Sequence, residues 1–473
     1  MRYLLITLML CTTPLAASAQ AFRAGAATSN ITPPLGGDIV GGFAPFPATH
    51  IHDELHVRCL VLDDGKVKLV FVVCDLLGLD RLVSDEARAS IHKDLGIPPD
   101  NVLISATHTH SACSALGKDA RVITDRPDEY QRFVARRIVD GVKRAHNLLR
   151  PAQIAWGSAE APEHVFNRRW VLKEGSKFLV NPFGKVDKVK MNPPVGSPDL
   201  VEPAGPTDPT ISFIALREPA GAPIGLFAAY SLHYVGGVGP GHISADYYGM
   251  FCAEMERLFK AERQTPPFVA LLANGTSGDI NNIDFRKARP KKEPYEQMKY
   301  VADDVAGKVH AALGRVTWHD HVALAARYRE PSIATRRPDA DLLAWAKKTI
   351  AEKSRVKGKT DLSLVYAERT LRMAAHPETL KMPLQAFRVG DLALATMPCE
   401  IFCEIGLEYK KRSPIRPAFM VSLNHGYYGY LPTPRHHKLG GYETWLGTNR
   451  LEPTASEKML DALLEMTAEM KGR

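Results

Sequence analysis

His108-Thr109-His110-Ser111 follows the apolar run Leu103-Ile104-Ser105-Ala106, so two imidazoles one residue apart stand where a strand gives way to a loop. Such a pair serves packing, proton transfer or metal binding. If both residues are extended, they share one side of the strand, about 6.5–7 Å apart along it. One is then free to hold a metal while the other meets substrate or water. Zinc accepts imidazole nitrogen and carboxylate oxygen, and a catalytic zinc keeps one position open for water. Alone, the pair is also compatible with an ordinary polar loop.

The elements that must position these histidines are strand-like runs alternating with amphipathic ones. Strands are expected at "VRCLVLDD", "KLVFVVCD", "NVLISAT", "TISFIALR", "IGLFAAYSLH", "PFVALLANG", "QAFRVGDLALATMP" and "AFMVSLNHG". Helices are expected over 82–95, 127–147, 245–260, 295–313, 339–354, 399–412 and 456–470. This alternation predicts an α/β fold, layered α/β/α about a central mixed sheet. Six strand candidates run into polar or metal-capable residues: Asp75, the histidine pair, His233, the Gly275–Asn281 segment, Glu400 and Tyr430. In open α/β sheets, ligand sites form at the carboxyl ends of strands. The Pro- and Gly-rich stretch 181–209 is long for a connection and reads as a functional loop over that site.

The 473 residues carry a formal charge of +8, with 45% hydrophobic and 24% charged residues. That balance suits a globular enzyme and does not suggest nucleic acid. The basic run Arg286–Lys292 is broken by proline and lacks interleaved aromatics, as in a solvated loop. Residues 1–19 read as a secretory signal peptide, with small residues at Ala17-Ser18-Ala19 and cleavage before Gln20. An exported protein, periplasmic or secreted, is therefore expected, with residues 20–473 as one catalytic domain. No later stretch is apolar enough to span a bilayer. Oligomeric state is not legible in the chain.

Six cysteines remain: Cys59, Cys74, Cys113, Cys252, Cys399 and Cys403. A hairpin turning at Asp64-Gly65 puts Cys74 opposite Leu55, too far from Cys59 for a bridge. Buried free thiols are expected.

The blocks "AGAATSNITPPLGG", "CDLLGLD", "ATHTHSA", "FNRRW", "SLHY…SADYYG", "FVALLANGTSGDIN", "MPCEIF" and "GYYGYLPT…GGYE" occur in order from Arg23 to Tyr442. In that order they resemble the neutral ceramidase family. The resemblance implies one Zn2+ ion held by His108, His233, Glu400 and Tyr430, with His110 beside it near substrate or water. It also implies that Asn167 and Arg168 form the family's Asn-Arg pair, with the arginine in the site. Asp75 and Asp246 fall where carboxylates orient ligating histidines, although an acid in the first turn of a helix is favoured anyway.

Three features depart from the family. Asn281 stands where the ceramidases carry the serine regarded as the nucleophile, and Cys399 replaces the glycine of Pro-Gly-Glu. The β-sandwich that ceramidases carry after the tyrosine region is also missing; only "SEKMLDALLEMTAEM" follows. An amide cannot be deprotonated to attack a carbonyl, but it can donate to an oxyanion. Thr276 and Ser277 lie near Asn281 and read as turn residues.

These residues imply a zinc-dependent hydrolase of a small-molecule amide (N-acyl) bond, acting through zinc-activated water. His110 would shuttle protons, Arg168 would neutralise charge and Asn281 would position the substrate or donate to the oxyanion. A zinc hydrolase of an ester or carbohydrate derivative remains open, since Tyr427–Tyr430, His436, His437 and Tyr442 suit a sugar. So does a binding protein that keeps the metal without turnover.

Overall fold

The computed structural model describes residues 21–472 apart from 44, 114, 117–125, 289, 357 and 358. The expected signal segment, residues 1–19, lies outside them.

Three sheets carry the fold. The first has the order β4-β3-β2-β1, from β1 (Arg23–Asn30), β2 (His56–Asp63), β3 (Lys68–Cys74) and β4 (Val102–Ala106). The second runs β8-β7-β6-β5, from β5 (Gln153–Glu160), β6 (Thr210–Arg217), β7 (Pro223–Tyr230) and β8 (Val269–Asn274). The third is β9-β10-β11-β12, from β9 (Leu324–Arg329), β10 (Leu384–Val389), β11 (Leu392–Met397) and β12 (Ala418–Ser422). Each contains one parallel pair, β3/β4, β7/β8 and β11/β12, while its other main strands pair antiparallel. The strands are thus shared among several mixed sheets rather than gathered into the single central one expected.

Period-two alternation explains the layers. Leu69, Phe71 and Val73 face inward with residues of all three sheets, and Phe71 packs on Phe227 at 5.2 Å and on Phe387 at 5.4 Å. Val70, Val72 and Cys74 point the other way, onto helices α1 (Arg81–Leu95) and α2 (Glu129–Asn147). The second sheet is backed by α3 (Asp246–Phe259) and α4 (Glu296–Ala312) in the same manner. Helices α5 (Ala340–Glu352) and α6 (Leu362–Ala374) follow in sequence. The outer face of the third sheet packs on α7 (Cys403–Arg412) and, after a short α8 (Pro434–Leu439), on α9 (Ala455–Ala468). Each buried Leu or Phe in these layers contributes about 1.5–3 kcal/mol.

Local signals set the helix ends. Asp80 and Asp128 cap α1 and α2 with side-chain acceptors, and Gly96 closes α1 in the left-handed conformation. Helix α7 starts at Cys403 instead of Cys399, because Glu400–Ile401 is drawn into a parallel pairing with Tyr430–Leu431.

Strand β1 escaped sequence reading because "RAGAATSN" is built from small residues. Their size is a packing demand: a Cβ on Gly25 would meet the Ala145 carbonyl oxygen of α2 at 2.1 Å. In the β2–β3 hairpin, Cys74 faces Val57 and Cys59 faces Val72. The turn therefore centres on Gly65-Lys66, one residue later than expected, with Gly65 at φ 89°. A two-residue register shift leaves every side chain on its expected face. All six described cysteines are buried free thiols.

Candidate metal centre

Each parallel pair is crossed by one helix, α1, α3 or α7, and the carboxyl ends of the three pairs converge. The Asn274 amide at the end of β8 donates to the Thr107 carbonyl just beyond β4, 3.0 Å away. Ser422 at the end of β12 donates to the Gly275 carbonyl at 2.5 Å. Three strands, one from each sheet, are thereby stitched at one point.

His108 is not extended. Its φ of 69° is a left-handed value that a non-glycine residue adopts at some cost, and it turns the chain out of the strand direction. The His108 and His110 rings meet nearly perpendicular at 4.8 Å, with their Nε2 atoms 3.2 Å apart. The expected spacing along a strand is therefore replaced by convergence, and His110 joins the cluster itself. One nitrogen each from His108, His110 and His233 lies within 4.8 Å of the others.

Backbone carbonyls aim two of these rings. His108 Nδ1 donates to the Leu77 carbonyl at 2.7 Å, and His233 Nδ1 to the Ser277 carbonyl at 3.0 Å. Placing both protons on Nδ1 leaves both Nε2 lone pairs pointing inward. Glu400 completes the group: its Oε2 lies 3.3 Å from His108 Nε2 and 3.7 Å from His233 Nε2. Its Oε1 accepts from the Tyr427 hydroxyl at 2.7 Å. Both His233 Nε2 and Glu400 Oε2 are buried without a hydrogen-bond partner. Lone pairs therefore face one another with no hydrogen between them, which costs free energy unless a cation sits there. Burial holds His233 and His110 well below the usual imidazole range, with neighbouring His108 and Arg168 adding to the effect. Burial pushes Glu400 up, yet His108, Arg168 and Tyr427 outweigh it and keep the carboxyl below its usual value.

Tyr430 reaches the site through pairing that no local sequence signal announces: Glu400 and Tyr430 are direct partners across the two-residue parallel ladder. Arg168 lies 5.4 Å above the Tyr430 ring, donates to the Gly278 carbonyl at 2.8 Å and to Glu443 at 3.1 Å. Gly278 must be glycine, because a Cβ would meet the Glu400 carbonyl oxygen at 2.5 Å.

The remaining expected residues divide. Asp75 and Asp246 do not touch the histidines, contrary to the orienting role expected. Asp75 pairs with Arg58 and accepts from the His56 amide, while Asp246 accepts from Val235 and Gly236 and shapes the chain after His233. Asn167 donates to buried Asp279 at 2.8 Å. Ser277 donates its hydroxyl to Asn274 at 2.7 Å, and the Thr276 amide bonds to Ser231. The Asn281 amide nitrogen donates to Asn192 at 3.1 Å, in the 181–209 stretch, and Asn281 does not line the cavity beside the histidines. That stretch contributes two short strands, Val189–Met191 and Leu200–Pro203, paired with Arg169–Leu172.

The cavity has a volume of about 470 Å³ and exposes His108, His110, Glu400, Tyr427, Tyr430 and Tyr442. Tyr442 packs edge-on against Tyr430 at 5.7 Å. His436 and His437, grouped with these tyrosines as a sugar site, are not part of its wall. Sequence reading missed Glu443, fully buried between Arg168 and Arg169, because nothing local marks a carboxylate as buried. Among the described residues, no helix is long and apolar enough to cross a membrane.

Two solved structures share this fold: a ceramidase complexed with C2 (18% identity, TM-score 0.69) and the neutral ceramidase from Pseudomonas aeruginosa (19% identity, TM-score 0.69). Each alignment covers 95% of this chain, and respectively 75% and 74% of the other. Residues 22–314 match the N-terminal region of the neutral/alkaline non-lysosomal ceramidases, and with them the chain belongs to that family.

Proposed function

We propose that this protein is an exported, zinc-dependent hydrolase of amide (N-acyl) bonds. The observation that carries the reading is the cluster of His108, His110, His233 and Glu400, in which buried His233 Nε2 and Glu400 Oε2 have no hydrogen-bond partner. Two neutral imidazoles and a carboxylate match the donor preferences of zinc, so His108, His233 and Glu400 would hold the ion, with Tyr430 beside Glu400. When bound, zinc lowers the pKa of water towards neutrality and polarises a carbonyl.

The chain's own residues supply the rest. Leu77 and Ser277 fix the tautomers of His108 and His233 through their carbonyls. His110 Nε2, neutral and facing the cavity, takes a proton and returns it to the leaving nitrogen. The guanidinium of Arg168, above Tyr430, counters negative charge developing there. No serine nucleophile is needed: Ser277 Oγ is 3.3 Å from His233 Nδ1, but that nitrogen carries the proton donated to the Ser277 carbonyl, and the hydroxyl donates to Asn274. Asn281 holds the Asn192 loop beside Arg168. Pro33, Phe43, Leu77 and Leu116 offer an apolar wall for an acyl group.

Protein purified without added metal should contain about one zinc per chain and cleave N-acyl substrates in a panel that also holds esters and glycosides. Metal with no hydrolysis across the panel would make it a binding protein. Hydrolysis appearing only in Asn281→Ser, with an acyl-enzyme trapped on the new serine, would show that the serine was the missing part.

A further inference from the structure

We infer that the cavity contains an anion subsite formed by Arg369 and Arg450, so that the substrate is an N-acyl amide with a carboxylate or sulfonate close to the scissile bond. This rests on the reading of the centre as an amide hydrolase. Both arginines line the same cavity as His108 and Glu400. The other arginines around the site are satisfied: Arg168 and Arg169 share Glu443, and Arg336 donates to the Thr444 carbonyl and to Asn449.

Arg369 and Arg450 have no carboxylate partner among the described residues. Arg369 donates from Nη1 to Thr448 at 2.9 Å and to Tyr366 at 3.2 Å, and its Nε is buried without a partner. Among the described residues Arg450 makes no side-chain hydrogen bond, and it lies over the Tyr427 ring at 5.8 Å. Burial lowers the pKa of Arg450, and the neighbouring Arg369 guanidinium adds to the effect. Two part-buried cations without a carboxylate partner in one cavity are unfavourable, and an anion that reaches both pairs with them.

The placement limits the reach of that anion. Tyr427, under Arg450, is the residue whose hydroxyl binds Glu400. One aromatic ring therefore separates the cation from the metal-centre carboxylate. An anionic group on a short arm from the amide nitrogen fits this separation, and a neutral amino-alcohol product would leave both arginines unpaired. Aromatic faces hold them in place: Arg369 lies 5.5 Å from Phe43 and 4.9 Å from Tyr366.

Binding is measured without turnover, on the full metal-loaded chain, with the keto analogue of N-lauroylglycine, in which a methylene replaces the amide nitrogen, and with its primary carboxamide. The carboxylate should bind about 10- to 100-fold tighter. Arg369→Gln with Arg450→Gln should bring the ratio close to one, Arg450→Lys should restore part of it, and Arg257→Gln, exposed on α3, should leave it intact. Equal binding of the two probes by the wild-type chain overturns the subsite. In the kinetic arm, N-lauroylglycine and N-lauroyltaurine, which separate carboxylate from sulfonate, are compared with N-lauroylethanolamine. A carboxylate preference in binding with no cleavage of any of the three would sink the hydrolase reading and leave the subsite standing. Cleavage of all three at equal kcat/KM, with no binding preference, would do the reverse.

Discussion

Among the described residues, two places bring three metal-capable side chains within ligand distance of one another: His108, His110 and His233, and Glu163, His164 and Asp304. By residue type and spacing alone they are comparable. Their surroundings are opposite. At the second group, Lys308 pairs with Glu163 and, at 2.9 Å, with Asp304, while His164 Nε2 bonds to Asp304 at 2.8 Å. A cation built from the chain already neutralises it, and Glu163 is exposed. At the first group no lysine intrudes among the described residues, carbonyls hold the imidazole protons on the far side, and a buried nitrogen and oxygen lack partners. A binding site is made by what remains unsatisfied after folding, and ligand-type residues brought together do not suffice.

The sharpest way to break that contrast is to remove both groups in turn. His108→Ala with His233→Ala should abolish stoichiometric zinc and cut hydrolysis about a thousandfold or more. Glu163→Ala with Asp304→Ala should leave zinc content and activity unchanged, as elemental analysis and kinetics would reveal. Equal loss in both variants would mean that the wrong cluster has been assigned.

A smaller effect is expected from Tyr427→Phe, which deletes the hydroxyl bound to Glu400 Oε1. Partners of this kind typically contribute about 10- to 100-fold in metal affinity. Competition with a chelator of known affinity measures it, and an unchanged affinity would deny Tyr427 any part in orienting Glu400.

His425 separates burial from lack of partners. It is as deeply buried as His233, but its ring bonds to Ser84 at 2.7 Å and to Gln385 at 2.6 Å, tying α1 to β10. Burial holds it well below the ordinary imidazole range, with Arg88 and Arg81 contributing. The folded ring stays neutral while the unfolded chain takes up a proton below about pH 6.5, so folding stability falls as pH drops through that point. One such group contributes about 1.4 kcal/mol per pH unit until the folded ring itself protonates. Denaturant titrations from pH 7 to pH 5 should show a shallower pH slope in His425→Gln than in the wild type. Zinc content should not change. An unchanged slope would mean that His425 is not what the acid-sensitive fold is losing.

The smallest effect is expected at the satisfied cluster. Lys308→Ala should change stability by no more than about 1 kcal/mol, since the ion pairs are partly exposed. It should also leave zinc at one equivalent, because His164 still bonds to Asp304 and Glu163 stays exposed to water. A second equivalent would show that the lysine, and not the solvent exposure of the group, had been keeping metal out.

Much of the architecture was legible in the chain itself. Runs such as "KLVFVVCD" and "TISFIALR" are short, apolar and rich in β-branched and aromatic residues, enough to reveal β3 and β6, and Asp80, Asp128 and Gly96 mark helix ends, because these signals act within a turn or two. The ordered motif blocks brought His108, His233, Glu400 and Tyr430 to attention together. Other features depended on contacts between distant segments. The left-handed turn at His108, the pairing of Glu400 with Tyr430 and the carbonyls that aim the imidazoles all come from the meeting of three sheets. Asp75 and Asp246 misled for the same reason: an acid at a strand or helix end looks alike whether it binds a histidine, an arginine or a backbone amide. Whether a polar atom lacks a partner, as at His233 Nε2, Glu400 Oε2 or Arg369 Nε, is a property of everything packed around it. The sequence by itself determined most of the main elements and which side chains were candidates for the chemistry. Only the tertiary structure decided which of those side chains were left with lone pairs or charge to offer a ligand, because desolvation and hydrogen-bond satisfaction are settled only when the layers close.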